Sequence, residues 1–507
     1  MKKYLVLVSV LLFSTASFSQ SVPSNKKNVN NKPYPYNNPI ITHMYTADAA
    51  PHVMPDGKVW VVTSVDDDNG GGYNTMHRYH IFSSPDMVGW TDHGEILNLE
   101  DLIGTEEPEG EDWALWAPDM VYRNGMYYLY FPVRILYPNK TKPGGGRVVN
   151  SYIAVAKSDS LTKRFEIVNP KLAGTKGIDP AVFIDDDDTP YLYWGSHRAA
   201  RLNDNMVELA SKPKKLEIDT DRFMEAGWMT KRKGKYYISY HTKYNWRLPI
   251  TAENRNDPNR KRSELAYSVG DSPMGPFTYG GTLNYELGVN VKEGPRSPDG
   301  DFVPWRLMQS NHGGIVEFHG QHYLFYHTSA LSSWRQDTFA GPGTWTQRSV
   351  CVDKLDFKPD GSMITVRQTL SGINKVEINQ PFAVELPAKD ALVTTGVKKN
   401  GNGFKITDNV ATLQFKDVKL GSGYYFFDMK VKHLEGDAYA ELRLNSSQGK
   451  LIGSMRIKDS FLEHNNNIAD TAVREANGTR DVFVILKQKG GNKLNISNLR
   501  FFAGAPT

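Results

Sequence analysis

The sequence predicts an all-β protein, a five-bladed β-propeller followed by a β-sandwich of jelly-roll type. Three observations predict it. A strand–turn–strand unit led by an acidic residue or histidine recurs five times. Aromatics make up 11% of the chain, with 43 Gly and 28 Pro, which suits a turn-rich, all-β composition. Tryptophan runs from Trp60 to Trp345 and then stops, while alternating apolar and polar residues continue to the end. The five units read DAAPHVMPDGKVWVVTS from Asp48, DMVYRNGMYYLYF from Asp119, DPAVFIDDDDTPYLYWG from Asp179, EAGWMTKRKGKYYISYH from Glu225 and HGGIVEFHGQHYLFYH from His312. A repeat of this kind means a radial or solenoid architecture. Tyr/Trp/Val alternation on both sides of a short turn fits propeller blades rather than helical repeats. The innermost strands of a propeller start near one axis, so the five leading residues converge on one pocket.

The elements follow in order. Lys2 and Lys3 precede an apolar stretch at 4–13 and mostly small residues at 14–19, the pattern of a secretory signal cleaved near Ser19 and Gln20. The apolar run is too short to span a bilayer. No cysteine near the cleavage point offers a lipid anchor, and Cys351, the single cysteine, has no disulfide partner. A periplasmic or secreted protein that relies on its core is expected. Residues 20–36 read as a flexible leader rich in Asn, Pro and Lys. Residues 37–372 hold the blades, whose outer strands start near Tyr79, Ser151, Glu264 and Arg348; the third blade has the weakest outer pair. Insertions at 66–74 and 139–147 are expected to rim a binding face. The run Asp185–Asp188 reads as a solvated hairpin turn rather than a calcium loop. Residues 380–507 supply about six further strands separated by Gly/Asn turns, the β-sandwich. A net charge of +4 over 507 residues gives no reason to expect a nucleic-acid or membrane-surface partner.

Asp48, Asp119, Asp179 and Glu225 lead four of the five units, and His312 leads the fifth. Hydrolysis of a glycosidic bond needs two carboxyl groups in different protonation states, one to protonate the leaving oxygen and one to activate water or attack. Several acids in one pocket can do this, because burial and like charge push their pKa values apart. Any one of these acids alone could simply close a turn. Four at equivalent repeat positions point to a shared site, without telling which is the acid.

The succession TAD at 46–48, WAPDMVY at 116–122, GIDPAVF at 177–183, MEAGWMTKRKGKYYISY at 224–240 and NHGGIVEFHGQHYLFYH at 311–327 resembles glycoside hydrolase family 43. The resemblance covers 37 to about 366. It implies a five-bladed propeller that cleaves plant polysaccharides with inversion. Carried over by motif, Asp48 resembles the general base, Glu225 the general acid, and Asp179 the third carboxylate that orients the acid and favours its protonated form. Trp116 resembles the aromatic wall beside the reactive sugar, and Arg348 the arginine that contacts sugar hydroxyls, against the alternative of a surface salt bridge. Asp119 is expected to bind substrate beside them. His312 takes the position that faces the channel and would reach a metal through water. No cofactor is required; a structural calcium would suit an oxygen-lined channel. Glu225 is followed by Ala-Gly where many relatives have Gly-Pro, so the loop around the acid is expected to differ. From about 403 the chain resembles carbohydrate-binding module family 6, but without tryptophan, so a structural role weighs as much as sugar binding.

The reading is therefore an exported, monomeric, inverting glycoside hydrolase acting on arabinan, arabinoxylan or arabinogalactan. An α-L-arabinofuranosidase comes first and a β-xylosidase second, then endo-arabinanase or exo-galactanase. The rival from another class is a non-catalytic sugar-binding propeller, which would lack the carboxylates found here.

Overall fold

The computed structural model describes residues 34–67, 72–243, 264–284, 311–335, 347–489 and 493–507. Residues 1–33, where a signal segment and most of a leader are expected, lie outside them, as do residues 68–71 of the first insertion.

Five sheets form in chain order, each a blade, antiparallel except where the short strand Ile218–Asp219 runs parallel to Phe277–Asn284 in the fourth. The inner strands are Thr46–Val53, Asp119–Arg123, Ala181–Ile184, Phe223–Arg232 and Gly314–Phe318. Asp48 and Asp119 lie inside their strands, and Asp179 and His312 stand two residues ahead of theirs. Each inner strand turns tightly into a second strand: Val59–Val65, Met126–Thr141, Pro190–Trp194, Lys235–Thr242 and Gln321–Thr328. These strands are rich in Val, Tyr, Trp and Phe because both faces of a blade are covered by its neighbours. The third blade ends in the two-residue strand Lys214–Lys215, which agrees with its weak outer pattern. In the second blade Met126–Thr141 and Arg147–Ser158 extend well past the blade as a hairpin whose tip, at 142–146, is the exposed glycine-rich insertion.

Ring closure joins the first blade to the fifth. Gly314 sits so close to the first inner strand that a Cβ there would lie 2.3 Å from Pro51 Cδ and 2.7 Å from the Ala49 carbonyl. Outside the fifth blade, the Ile40 N–H donates to the Val350 carbonyl at 2.9 Å. The buried Asn38 amide bonds the Val352 carbonyl at 2.9 Å and the Thr369 carbonyl at 3.0 Å. The residues just after the leader thus complete the blade whose own strands come from the other end of the propeller.

The C-terminal strands form two sheets around a single apolar core that includes Phe404, Leu413, Phe427, Leu442, Ile452, Val484 and Phe501. This is the expected β-sandwich. One sheet runs in the order Val397–Asn400, Gly403–Ile406, Leu494–Phe502, Tyr424–His433, Ile468–Ala476. The strand Ile468–Ala476 escapes sequence reading because it buries a carboxylate, Asp470, where alternation demands an apolar residue.

All five inner hairpin turns meet this sandwich. A Cβ on Gly57 would lie 2.1 Å from the Ala505 carbonyl, and one on Gly125 would lie 2.8 Å from the Asn465 amide. The Lys233 N–H donates to Glu475 at 2.7 Å, and His319 Nδ1 lies 2.8 Å from the Ser422 hydroxyl. The third turn carries Asp185–Asp188, and here the expectation of a solvated turn is corrected. Asp185, Asp186 and Asp188 are buried. Lys231 reaches Asp185 and Asp186 at 2.6 and 2.8 Å, Arg474 reaches Asp186 at 2.8 Å, and Arg123 reaches Asp188 at 2.8 Å. The acids form an ion-pair junction, because cations from the sandwich and from neighbouring blades replace the water the turn would otherwise keep. The leading residues open at the other end of the same strands, so the sandwich closes the end of the axis away from them.

Two carboxyl groups at this junction have their pKa raised furthest. Burial lifts Asp470, which accepts from the Tyr122 hydroxyl, to about 7, and lifts Glu317 to about 7 against its bonds to the Gly320 N–H and Tyr425. A raised carboxyl pKa means the folded state holds the proton longer than the unfolded chain. The stability these two groups contribute is therefore fully present below about pH 4 and falls as the pH climbs to about 7. Asp470→Asn keeps an acceptor for Tyr122 and removes one of the two groups. The decline in melting temperature across that window should become shallower, and an unchanged slope would count against the assignment.

Candidate active site

The open end of the axis holds a pocket lined by Asp48, Tyr73, Met76, Trp116, Ile178, Asp179, Glu225, His312 and Arg348. Local backbone conformation aims the acids. Asp48 has φ +56° and Asp179 φ +54°, the left-handed region that Asp tolerates better than most residues. Asp48 interrupts the pairing of its strand between Ala47 and Ala50, so its side chain leaves the sheet face and points along the axis. Glu225 stands at a similar irregularity, where pairing shifts on both sides of it.

Asp48 is buried and held by three side chains. Its Oδ1 lies 2.9 Å from Arg348 Nη1 and 2.9 Å from His312 Nδ1, and its Oδ2 accepts from the Ser64 hydroxyl. Burial alone would raise this carboxyl, but the charges of Arg348 and His312 outweigh it and hold Asp48 well below the usual carboxylate range. Arg348 is itself buried and forked onto Asp66, with Nε and Nη2 at 3.0 and 2.8 Å from the two carboxylate oxygens. A surface salt bridge is thereby excluded for Arg348.

His312 bridges the two aspartates, with Nδ1 toward Asp48 and Nε2 3.6 Å from Asp179. Burial pulls its pKa down, yet the two carboxylates together raise it well above its ordinary value, which favours the protonated ring. Neighbouring His327 and His241 behave oppositely: burial holds His327 well below the usual value and pushes His241 down to about 3. The Asp48 N–H donates to His327 Nδ1 at 3.3 Å, which fits a neutral ring.

The charged form of His312 bears on the expected ion. A protonated imidazole whose two nitrogens face carboxylates has no lone pair for a cation, so direct ligation does not fit these residues. Among the described residues, no group of three or more His, Cys, Asp or Glu side chains could hold a metal.

Asp179 tethers the opposite side. Its Oδ2 accepts from the Ala226 N–H at 3.2 Å, directly behind Glu225. The Glu225 side chain is 14% exposed, with Oε1 3.8 Å from His241 Nδ1. Trp116 and Tyr73 form the aromatic side, with ring centres 5.7 Å apart. The Trp116 indole N–H donates to the Tyr73 carbonyl at 2.8 Å, and the Arg134 guanidinium sits 4.8 Å over its ring. Trp116 is half-buried and lines the pocket, a wall of the site rather than a core residue.

The model of glycosyl hydrolases family 43 matches residues 36–279. The xylosidase/arabinosidase 43A of Humicola insolens is 33% identical over 64% of this chain and 98% of its own. The chain belongs to glycosyl hydrolases family 43. It is accordingly an inverting glycoside hydrolase, as that family is. The arabinoxylan arabinofuranohydrolase of Bacillus subtilis is 26% identical over 98% of this chain and 97% of its own. A solved structure of a family 43 arabinoxylan arabinofuranohydrolase from Bacillus subtilis, in complex with cellotetraose, has a TM-score of 0.50 and 23% identity. It covers 92% of this chain and 97% of that one, a likeness of fold.

Within the family 43 site, the structure brings together Asp48, Asp179, Glu225, Trp116, Arg348 and His312. It corrects the expectation for Asp119, which lines no part of the pocket. Its buried carboxylate accepts from the Met120 N–H at 2.7 Å and the Val182 N–H at 2.6 Å, and lies 2.7 Å from His52 Nε2. Asp119 joins the second inner strand to the third, and its oxygens are spent on that. Sequence reading missed Tyr73, Met76, Asp66 and His241. Tyr73 and Asp66 bound the glycine-rich insertion assigned to the rim, and His241 directly follows the YYISY strand. Ala226, the departure from the family's Gly-Pro, sits at φ +60°, where a Cβ costs about 1–2 kcal/mol. Ala226→Gly should therefore raise the melting temperature by a few degrees with activity retained. A lower melting temperature would show that no strain is stored there.

Proposed function

We propose that this enzyme removes α-L-arabinofuranosyl groups from arabinoxylan, with Glu225 as general acid, Asp48 as general base and Asp179 as the group that positions the acid. One observation carries the choice of sugar. The arabinoxylan arabinofuranohydrolase of Bacillus subtilis matches propeller and sandwich alike over 98% of this chain, whereas the xylosidase/arabinosidases match 64%. In this reading Asp48 stays ionised between Arg348 and His312 and receives a proton from the attacking water. Glu225 protonates the departing oxygen. Asp179, bonded to the Ala226 N–H, fixes the backbone from which Glu225 projects. Tyr73 and Trp116 pack against the sugar's apolar face. Export follows from the N-terminal pattern, and a monomer suffices, since one chain supplies every residue named.

For the sandwich we propose a structural role, supported by its contacts with all five inner turns; its likeness to carbohydrate-binding module family 6 is then one of fold. Side-by-side assay on nitrophenyl α-L-arabinofuranoside and nitrophenyl β-D-xylopyranoside tests the sugar. Preference for the xyloside would replace this reading with a β-xylosidase. Sedimentation with insoluble arabinoxylan, with the pocket saturated by arabinose, tests the sandwich, and retained binding would give it a sugar site.

A further inference from the structure

Beside the catalytic pocket runs a second cleft, of about 500 Å³, within the range of small-ligand sites (roughly 300–1,000 Å³). Glu225 and Ile178 belong to both, so the cleft opens directly from the proposed acid. Its other walls come from the third blade and its neighbours: Lys176, Ser196, His197, Arg198 and Lys215 among them. Among the described residues, Glu225 is the only carboxylate in the lining.

The charges there are arranged against the interest of folding. Arg198 and Lys215 are directly opposite each other on adjacent antiparallel strands, so two cations share one face at neighbouring positions. Like charges so placed destabilise a sheet. Among the described residues, Lys176, Arg198 and Lys215 form no ion pair. His197, between them, has φ +51° and a buried Nδ1 with no hydrogen-bond partner among the described residues. Burial lowers its pKa, and Lys215, Lys243 and Arg198 lower it further, which reports a concentrated positive field. A strained residue, an unmet polar atom and an uncompensated cation pair thus meet in one cleft adjoining the acid.

We propose that this cleft is a subsite for a sugar carboxylate, and that the enzyme favours glycans bearing uronic acid substituents near the bond it cleaves. The proposal rests on the pentose-glycan reading for the identity of the main chain. A carboxylate between Arg198 and Lys215 would turn a repulsive pair into two attractive ones, and Lys176 would add a third cation. The leaving group departs on the Glu225 side, so the recognised acid lies on the part of the glycan that is released from the cleaved sugar.

Titration calorimetry on the full chain carrying Glu225→Ala, to stop turnover, provides the test. The ligands are a xylo-oligosaccharide with one glucuronic acid branch and the same compound with its carboxyl reduced to an alcohol. The acid should bind about tenfold tighter near ~20 mM salt, the preference should shrink toward ~300 mM, and Arg198→Ala/Lys215→Ala should abolish it. Thermal melting of the double variant confirms that it folds. Equal affinity for both ligands, a preference that survives the double variant, or binding of neither ligand would overturn the subsite. Turnover of nitrophenyl pentosides by the unaltered protein separates the two readings. Turnover without acid preference sinks the subsite alone, and acid preference without turnover sinks the pentose reading alone.

Discussion

Glu225→Ala should lower kcat on alkyl or weakly activated aryl pentosides by about 10²–10⁴-fold, the usual weight of a positioned general acid. The loss should shrink as the leaving phenol becomes more acidic. A phenol that departs readily as its anion needs no proton, so the transition state no longer depends on Glu225. The truncated side chain faces the pocket and is already partly in water. The tether between Asp179 and the Ala226 N–H belongs to the backbone and survives. Folding should therefore be close to normal, and circular dichroism with a melting curve establishes it. A series of aryl glycosides of graded leaving-group pKa reads the effect directly. A deficit that stays constant across the series would deny Glu225 the acid role, and near-normal turnover would remove it from the chemistry.

The architecture was legible because a propeller repeats. Each blade restates the same alternation and the same turn, and each leading residue marks where an inner strand approaches the axis. Five restatements make the ring readable, and the ring brings Asp48, Asp179, Glu225 and His312 together without further information. What could not be read is whatever depends on contacts between distant segments. Asp119 occupies the same repeat position as the catalytic residues, yet its oxygens are taken by His52 and two backbone N–H groups. Repeat position gives the place of a side chain; the neighbours that claim it come from other blades. The Asp185–Asp188 turn fails for the same reason: four adjacent acids look solvated until Arg474, more than 280 residues away, is seen to meet them. The charge state of His312 was equally invisible. Two carboxylates around a histidine favour its protonated form, and that makes it a partner of the proposed base.

Asp48→Asn should lower turnover at least as much as loss of the acid, about a thousandfold or more, and on every leaving group alike. Water is a poor nucleophile whatever it displaces, so an easier departure does not replace the base. Asn is the informative substitution because Asp48 lies at φ +56°, which Asn tolerates better than Ala. A variant at this position that unfolds for lack of backbone fit would say nothing about catalysis. The electrostatics predict a moderate cost in stability. Removing one member of a buried pair costs about 3–5 kcal/mol when the other is stranded. Arg348 is not stranded, because Asp66 still holds it through Nε and Nη2. His312 loses one of its two carboxylate neighbours, so its pKa should fall toward the ordinary histidine value, and its ring signals in NMR should titrate at lower pH than in the unaltered protein. The pH profile gives an independent reading. Asp48 is held ionised well below the usual range, so the acidic limb of kcat/KM in the unaltered enzyme should not follow an ordinary carboxylate at this position. Deficits that diminish with better leaving groups would exchange the roles of Asp48 and Glu225.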